Sequence, residues 1–355
     1  MSSAGAAPSF TARENALGQL VFLLIAAGAS YYFSQLRFGL TGQLPEVSID
    51  RLMAGTAQTP EQYRVLIPWL AKGIIGIFKL LPTIPTPAPI TIFQYIELLC
   101  VLLVFVAFRY LVSLFLGKNA TSGLLAITVW YGMLFHYVIP PLRPGPASPI
   151  NFAWWKVADV PALLFMTVGL VLLYKKKWMA YYAIFVLATI NRETSCYLTF
   201  IYLFTALGKS NLRSISIHCL LQFSIWFVIK YLLYQLYIDN PVTGPGPPNA
   251  AYAGLFDATD FRMNMADLRD VRLYPVLFSI AGYLWIPALL LGSIMSKDFI
   301  RKATIVIFPY FAGMSVLATL FELRTFGDLV SVLAAAFVLV LGELLVAKPV
   351  STVGG

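Results

Sequence analysis

Six side chains in this sequence have the type and the placement to do chemistry: Asp50, Arg64, Asp159, Arg192, Glu193 and Arg324. Each stands at the edge of an apolar run or in the segment between two. Asp50, in PEVSIDRLMAG, has the chemistry of a general base toward an acceptor hydroxyl or of a metal ligand. The same residue also fits a loop ion pair or a helix start. Arg192, in NRET, carries a planar fork of donors suited to a phosphate, or else neutralises its neighbour Glu193. Arg324, in FELRTFGDL, is a second candidate phosphate clamp, with Glu322 and Asp328 beside it as local partners. Asp159, two residues before Pro161, reads as the cap of the next helix or as part of a binding site. Glu97 interrupts an apolar run, so it is expected to pair with Lys230, Arg192 or a substrate.

The elements that must position these groups are set by composition. The chain has 355 residues, 59% of them hydrophobic and only 12% charged. Soluble domains carry roughly 25% charged residues. A soluble enzyme, a disordered chain and a nucleic-acid binder with a basic face are thereby excluded. An all-α, polytopic integral membrane protein is expected, a single transmembrane domain over residues 1–355. About 20 apolar residues cross a bilayer as helix. Ten runs qualify or come close: Ala16–Gln35, Ile90–Phe108, Thr121–Val138, Val160–Tyr174, Trp178–Ile190, Ser195–Leu207, Ser214–Ile238, Leu273–Ser296, Ala303–Phe321 and Leu329–Ala347. Trp178–Ile190 and Ser195–Leu207 are short, about 20 Å as helix.

Thr59–Leu81 reads differently. Glu61, Arg64, Pro68, Lys72 and Lys79 recur near the helical period, and Ile, Leu, Trp and Phe fill the other face. This is the pattern of a helix lying in the membrane interface. It falls inside a first outer loop, residues 36–89. A second large outer loop covers 239–272 and holds the Pro/Gly-rich stretch Pro241–Pro248.

Lys and Arg bias gives the orientation. With the N-terminus cytoplasmic, the inner side carries Arg13, Arg109, Lys118, Lys175–Lys177, Lys209, Arg213, Lys297, Arg301, Lys302 and Lys348, twelve cations, against Glu14, Asp298 and Glu343, three acids. That difference equals the net charge of +9. Both termini are therefore expected in the cytoplasm, and the excess charge is expected to face anionic lipid. Cys100, Cys196 and Cys219 lie in apolar runs and form neither a disulfide framework nor a CxxC pair. No cofactor is implied, and a divalent metal is left as an option at the carboxylates alone.

Three segments carry a resemblance: QYRVLIPWL, the stretch KKKWMAYYAIFVLATINRET, and ELRTFGDL. Together with the layout of the chain, they resemble bacterial polytopic membrane glycosyltransferases of the GT-C fold. The resemblance implies a donor sugar on a polyprenyl phosphate, a catalytic acid in the first outer loop and an interfacial helix beside it. It places Asp50 as the catalytic acid and Arg64, Asp159, Arg192, Glu193 and Arg324 as substrate-binding groups. It also implies a bacterial inner-membrane location with chemistry on the outer, periplasmic side. The paired acids common in that loop are absent here, since three residues separate Glu46 from Asp50 and Arg51 is adjacent. Two other readings remain open at this point: a transporter or flippase for an anionic lipid or solute, and a structural subunit of a membrane complex.

Overall fold

The computed structural model describes residues 12–43, 45–81, 83–117, 123, 125–139, 153–241, 258–318, 320 and 322–346. Lys118, the sequence Asn119-Ala-Thr121, most of Pro241–Pro248, Asp257 and Lys348 lie outside the described residues. The longer helices are α1 (Ala12–Leu40), α2 (Leu66–Lys79), α3 (Pro89–Leu116), α4 (Ile127–Tyr137), α5 (Asp159–Tyr174), α6 (Trp178–Asn191), α7 (Tyr197–Ala206), α8 (Leu212–Leu236), α9 (Ala258–Asp267), α10 (Ile307–Leu317) and α11 (Val330–Val346). The described strand pairing is a short parallel ladder, Thr41–Gly42 with Ala153–Trp154.

Among the described residues, five helical stretches are long and apolar enough to cross a membrane: Leu17–Leu40, Pro89–Leu116, Leu212–Leu236, Asp298–Leu317 and Leu323–Leu345. The last is the core element, with 67% of its apolar window buried, whereas Leu212–Leu236 is peripheral at 11%. The outward faces of α1 and α8 expose Leu20, Leu24, Leu220, Phe227 and Leu232, as a lipid-facing surface would. α5 sits at the centre, packed on α3 and α6, and it is shorter, at 16 residues.

Two expectations need correcting. Leu273–Ser296 is not one helix. It breaks into Tyr274–Phe278, a turn at Ile280–Tyr283, Trp285–Leu290 and a final turn at Gly292–Ile294. Pro275 and Pro287 each remove a backbone donor, and Ala281, Gly282 and Tyr283 take positive φ values of 51°, 63° and 66°. The second correction concerns Thr59–Leu81. Its helix begins only at Leu66, and Glu61–Tyr63 form a separate short turn. Glu61 and Arg64 are therefore buried in ion pairs instead of lying on the polar face of the helix. The helix itself keeps its amphipathic form. Ile67, Pro68 and Ala71 are buried, while Trp69, Leu70, Ile77, Lys72 and Lys79 are exposed.

Helix direction alternates, so the ends collect different groups. The end of α1, the starts of α3 and α5, the end of α6 and the turn before α11 bring Arg37, Glu97, Asp159, Arg192 and Asp328 together. The opposite end holds Lys175–Lys177 in the turn after α5, and Lys209, Arg301 and Lys302 around Asp298.

Two glycines let tyrosines reach the first of these ends. A methyl group on Gly313 would overlap the hydroxyl of Tyr197, but would stay 3.3 Å from its Cζ. On Gly327 it would overlap both the hydroxyl and Cζ of Tyr137 and come within 2.8 Å of Cε1. Gly313→Ala is thus expected to cost about 1–3 kcal/mol of stability in detergent, and adding Tyr197→Phe is expected to recover most of it. Gly327→Ala is expected to cost a similar amount, and Tyr137→Phe to recover little. Thermal unfolding of the four variants checks this; an undiminished Gly313→Ala midpoint would contradict it.

Candidate functional site

The site grows from the first turn of α5. Asp159 is its first helical residue and is fully buried. Its side chain caps nothing. Oδ2 accepts a hydrogen bond from Arg37 Nη2 at 3.1 Å, and Oδ1 accepts one from Arg192 Nη1 at 3.3 Å. Arg324 Nη1 is 3.7 Å from the same Oδ1. One carboxylate thus gathers three guanidinium groups from α1, the end of α6 and the turn before α11.

Local packing fixes each arm. The ladder after α1 sets Thr41–Gly42 against Ala153–Trp154, and Arg37 Nη2 also donates to the carbonyl of Lys156 at 3.1 Å. Arg37 Nη1 donates to Glu97 Oε2 at 2.8 Å, and the indole of Trp155 donates to the same oxygen at 2.6 Å. The Arg37 guanidinium lies over the Tyr137 ring, 5.1 Å from its centroid. Asn191 Nδ2 donates to the carbonyl of Ala158 at 2.9 Å, which binds the end of α6 to the start of α5.

The turn Leu323–Leu329 carries Arg324 and Asp328 and is buried throughout. Tyr310 donates to Thr325 O at 2.6 Å and lies 3.2 Å from Asp328 Oδ2. His136 fastens the other side. The backbone N–H of Ala281 donates to its Nε2 at 2.7 Å, so the ring is neutral and its Nδ1 donates to Leu323 O at 2.5 Å. One imidazole therefore joins the interrupted segment to the arginine-bearing turn.

A second group lies nearer the surface. Arg64 donates through Nη1 to Glu61 at 2.6 Å and through Nε to Glu193 Oε2 at 3.2 Å, and Nη2 also meets Glu193. Lys156 binds the other oxygen of Glu61. Arg324 donates through Nε to Glu322 at 2.6 Å. Burial pushes the Glu61 carboxyl up, but Arg64, Lys156 and Arg324 outweigh it and bring it down to about 2. Burial likewise opposes ionisation of Glu322, yet Arg324 and Lys156 hold it below the usual carboxylate range.

The expected site residues are thus brought together, apart from Asp50. Arg192 and Glu193 do not neutralise each other; Arg192 turns to Asp159 and Asp328, and Glu193 turns to Arg64. Glu97 pairs with Arg37, not with Lys230 or Arg192. Asp50 sits in the first turn of the short helix Ile49–Ala54, which Ser48 caps, and it is exposed with no ion pair among the described residues. Sequence reasoning missed Arg37, Lys156 and the pairing of Glu61. One signal was available: Arg37 ends the first apolar run and Glu97 lies near the start of the next, opposite charges at matching depth.

A small cavity opens beside Arg192 and Asp328, bounded by Thr194, Ser195, Ala162 and Met166. It has room for about one water molecule. Among the described residues, no three His, Cys, Asp or Glu side chains are placed to hold a metal. The acids here face guanidinium and ammonium groups, which is a poor donor set for a divalent ion.

The depressed Glu61 carboxyl has a pH consequence. Its ordinary value is 4.5 and its folded value about 2, so its contribution to stability is present above about 4.5 and is lost as pH falls from there toward 2. Detergent-solubilised protein is expected to lose unfolding midpoint over that window, and Glu61→Gln to lose less over the same range. Equal acid sensitivity in the two proteins would contradict the assignment.

Comparison with family models, with curated proteins and with solved structures returns no match for this chain.

Proposed function

We propose that this chain is a membrane glycosyltransferase on a GT-C-like fold, moving a sugar from a polyprenyl-phosphate donor to an acceptor on the outer side. The observation that carries the reading is the meeting of Arg192 and Arg324 on one oxygen of Asp159. Two guanidinium groups at the end of an apolar bundle suit a ligand with a charged head and a hydrocarbon tail. Arg64 and Lys156 add cationic charge on the surface side. The exposed faces of α1 and α8 offer the tail a lipid-side approach.

In this reading the acceptor oxygen attacks the anomeric carbon, and the bond from that carbon to the phosphate oxygen breaks. The phosphate leaves on its lipid as a monoester, and the acceptor proton goes to a carboxylate. Asp50 is the acid assigned to that proton. The acids of the network are each held by an arginine or lysine, whereas Asp50 is exposed, with no ion pair among the described residues. Asp159 acts as a positioning residue that aims the arginines. Stabilising the leaving phosphate is the larger catalytic contribution.

The topology that goes with this has ten crossings, with the shorter α4, α5, α6 and α7 and the broken segment Tyr274–Ile294 completing the bundle. The lysine-rich end and both termini face the cytoplasm. A second reading, a carrier for an anionic lipid or solute, draws on the left-handed break at Ala281–Tyr283, since interrupted helices line many transport paths.

Two measurements test these readings. In proteoliposomes with lipid-linked sugars, Asp50→Asn is expected to lower transfer about 10²–10⁴-fold with folding unchanged. Full activity in that variant would move the acid elsewhere, and movement of lipid or solute without transfer would favour the carrier. For orientation, a cysteine in place of Lys176 is expected to escape an impermeant reagent added to the outside of cells. Its labelling would invert the topology.

A further inference from the structure

The ion network is graded by depth. The side chains of Arg37, Glu97, Asp159, Arg192 and Asp328 are at most 5% exposed. Arg64 and Arg324 are nearly as buried, at 7% and 8%. The acids that cap them are not: Glu193 is 31% exposed and Glu322 is 33% exposed. The two arginines are used alike. Each turns Nη1 inward, Arg64 to Glu61 and Arg324 to Asp159. Each presents Nε and Nη2 outward to its part-exposed glutamate.

This asymmetry decides which partner can leave. Arg64 is hydrogen-bonded from behind by Glu61 at 2.6 Å, and Arg324 is drawn inward by Asp159 at 3.7 Å, so both stay when the glutamates swing away. Glu193 and Glu322 are already part-hydrated, so their release into water carries a small desolvation change. Charge then sets what replaces them. Arg64, Lys156 and Arg324 face Glu61, Glu193 and Glu322, three against three. With Glu193 and Glu322 gone, the acids left facing these cations are Glu61 and, behind Arg324, the Asp159 already shared with Arg37 and Arg192, so the removal of two negative charges leaves two positive charges unmatched. Lys156 belongs to the same seat: burial lowers its amine and the nearby Arg324 lowers it further, while Glu61 and Glu322 oppose them. A phosphate monoester carries about 1.5–2 negative charges near neutral pH, and a phosphodiester carries one. Glu193 and Glu322 occupy the Nε and Nη2 positions of these arginines, so a phosphate that binds there displaces the two side chains.

We propose that Glu193 and Glu322 are resident competitors occupying a phosphate seat formed by Arg64, Lys156 and Arg324, and that the seat is matched to the doubly charged phosphate monoester of a lipid. This rests on the phosphate-binding part of the functional reading and is independent of sugar transfer. It gives the acids a role opposite to that of ordinary structural ion pairs, because removing them improves binding.

The test uses the full-length protein in detergent, with farnesyl phosphate as the lipid probe and inorganic phosphate and farnesol as the other arms. Tryptophan fluorescence is the readout, since the Trp226 indole donates to the carbonyl of Glu193 at 2.8 Å. Glu193→Gln with Glu322→Gln is expected to tighten farnesyl phosphate binding about tenfold or more, and Arg324→Gln to weaken it by a similar factor. Glu322→Gln alone, at the more exposed acid, is expected to tighten binding by a smaller factor if the double variant does not fold. Tightening for farnesyl phosphate alone assigns the seat to a lipid headgroup, and equal tightening for inorganic phosphate assigns it to the free anion. Binding that is unchanged or weaker in folded Glu322→Gln, or absent for both phosphates in the unmutated protein, overturns the proposal. If the seat behaves as expected and no sugar is transferred, the transferase reading falls and this one stands.

Discussion

A single carboxylate organises this molecule. Asp159 is buried at the start of the central helix, where the partial positive charge of the helix N-terminus favours an acid. Arginines from three separate segments close on it. Burying charges this way is costly unless they are paired and hydrogen-bonded. The described network answers that requirement by neutrality. Arg37, Arg64, Lys156, Arg192 and Arg324, with Lys230 attracted electrostatically to Glu193, stand against Glu61, Glu97, Asp159, Glu193, Glu322 and Asp328, six of each sign. The apolar contacts of α3, α5 and α11 hold the helices side by side; the network sets how their ends meet.

Function follows from the gradient within that network. The inner charges lock one another, and the outer ones are locked on one side only. The arginines nearest the surface are thus pre-aimed, with their mobile partners facing water. Donors fixed before a ligand arrives lose little entropy when it binds. Preorganised cationic donors are also what a departing phosphate requires. Neither property needs a wide cavity in the resting protein, because the glutamates fill the space the ligand takes.

The sequence showed the helical, membrane-type organisation plainly, because long uncharged runs have few other interpretations. Ala16–Gln35, Ile90–Phe108, Ser214–Ile238 and Leu329–Ala347 all fall inside observed helices or extend them by a few residues. Leu273–Ser296 was misread because hydropathy does not register Pro275, Pro287 and a left-handed turn at Gly282. Glu61 and Arg64 fitted a helical period by spacing alone, and only the tertiary pairing of Arg64 with Glu193 removes them from it. Arg192 and Arg324 were legible as unusual charges, while Asp159 read as a helix cap or a binding residue and not as the meeting point of three arginines. Their partners were not legible, since Arg37 lies 122 positions from Asp159 along the chain. Lys156 was hidden in a proline-rich stretch where a charge draws no notice.

The central claim is that Asp159 holds the arginines in a single coupled unit. A double-mutant cycle on unfolding in detergent tests it, using Asp159→Asn, Arg192→Gln and the pair together. Asp159→Asn is predicted to cost about 3–5 kcal/mol, as removal of one member of a buried ion pair does. The loss from Arg192→Gln is predicted to shrink in the Asp159→Asn background, leaving the two effects short of additivity by about 0.5–3 kcal/mol. Strictly additive losses, or an Asp159→Asn protein as stable as the unmutated one, would contradict the account.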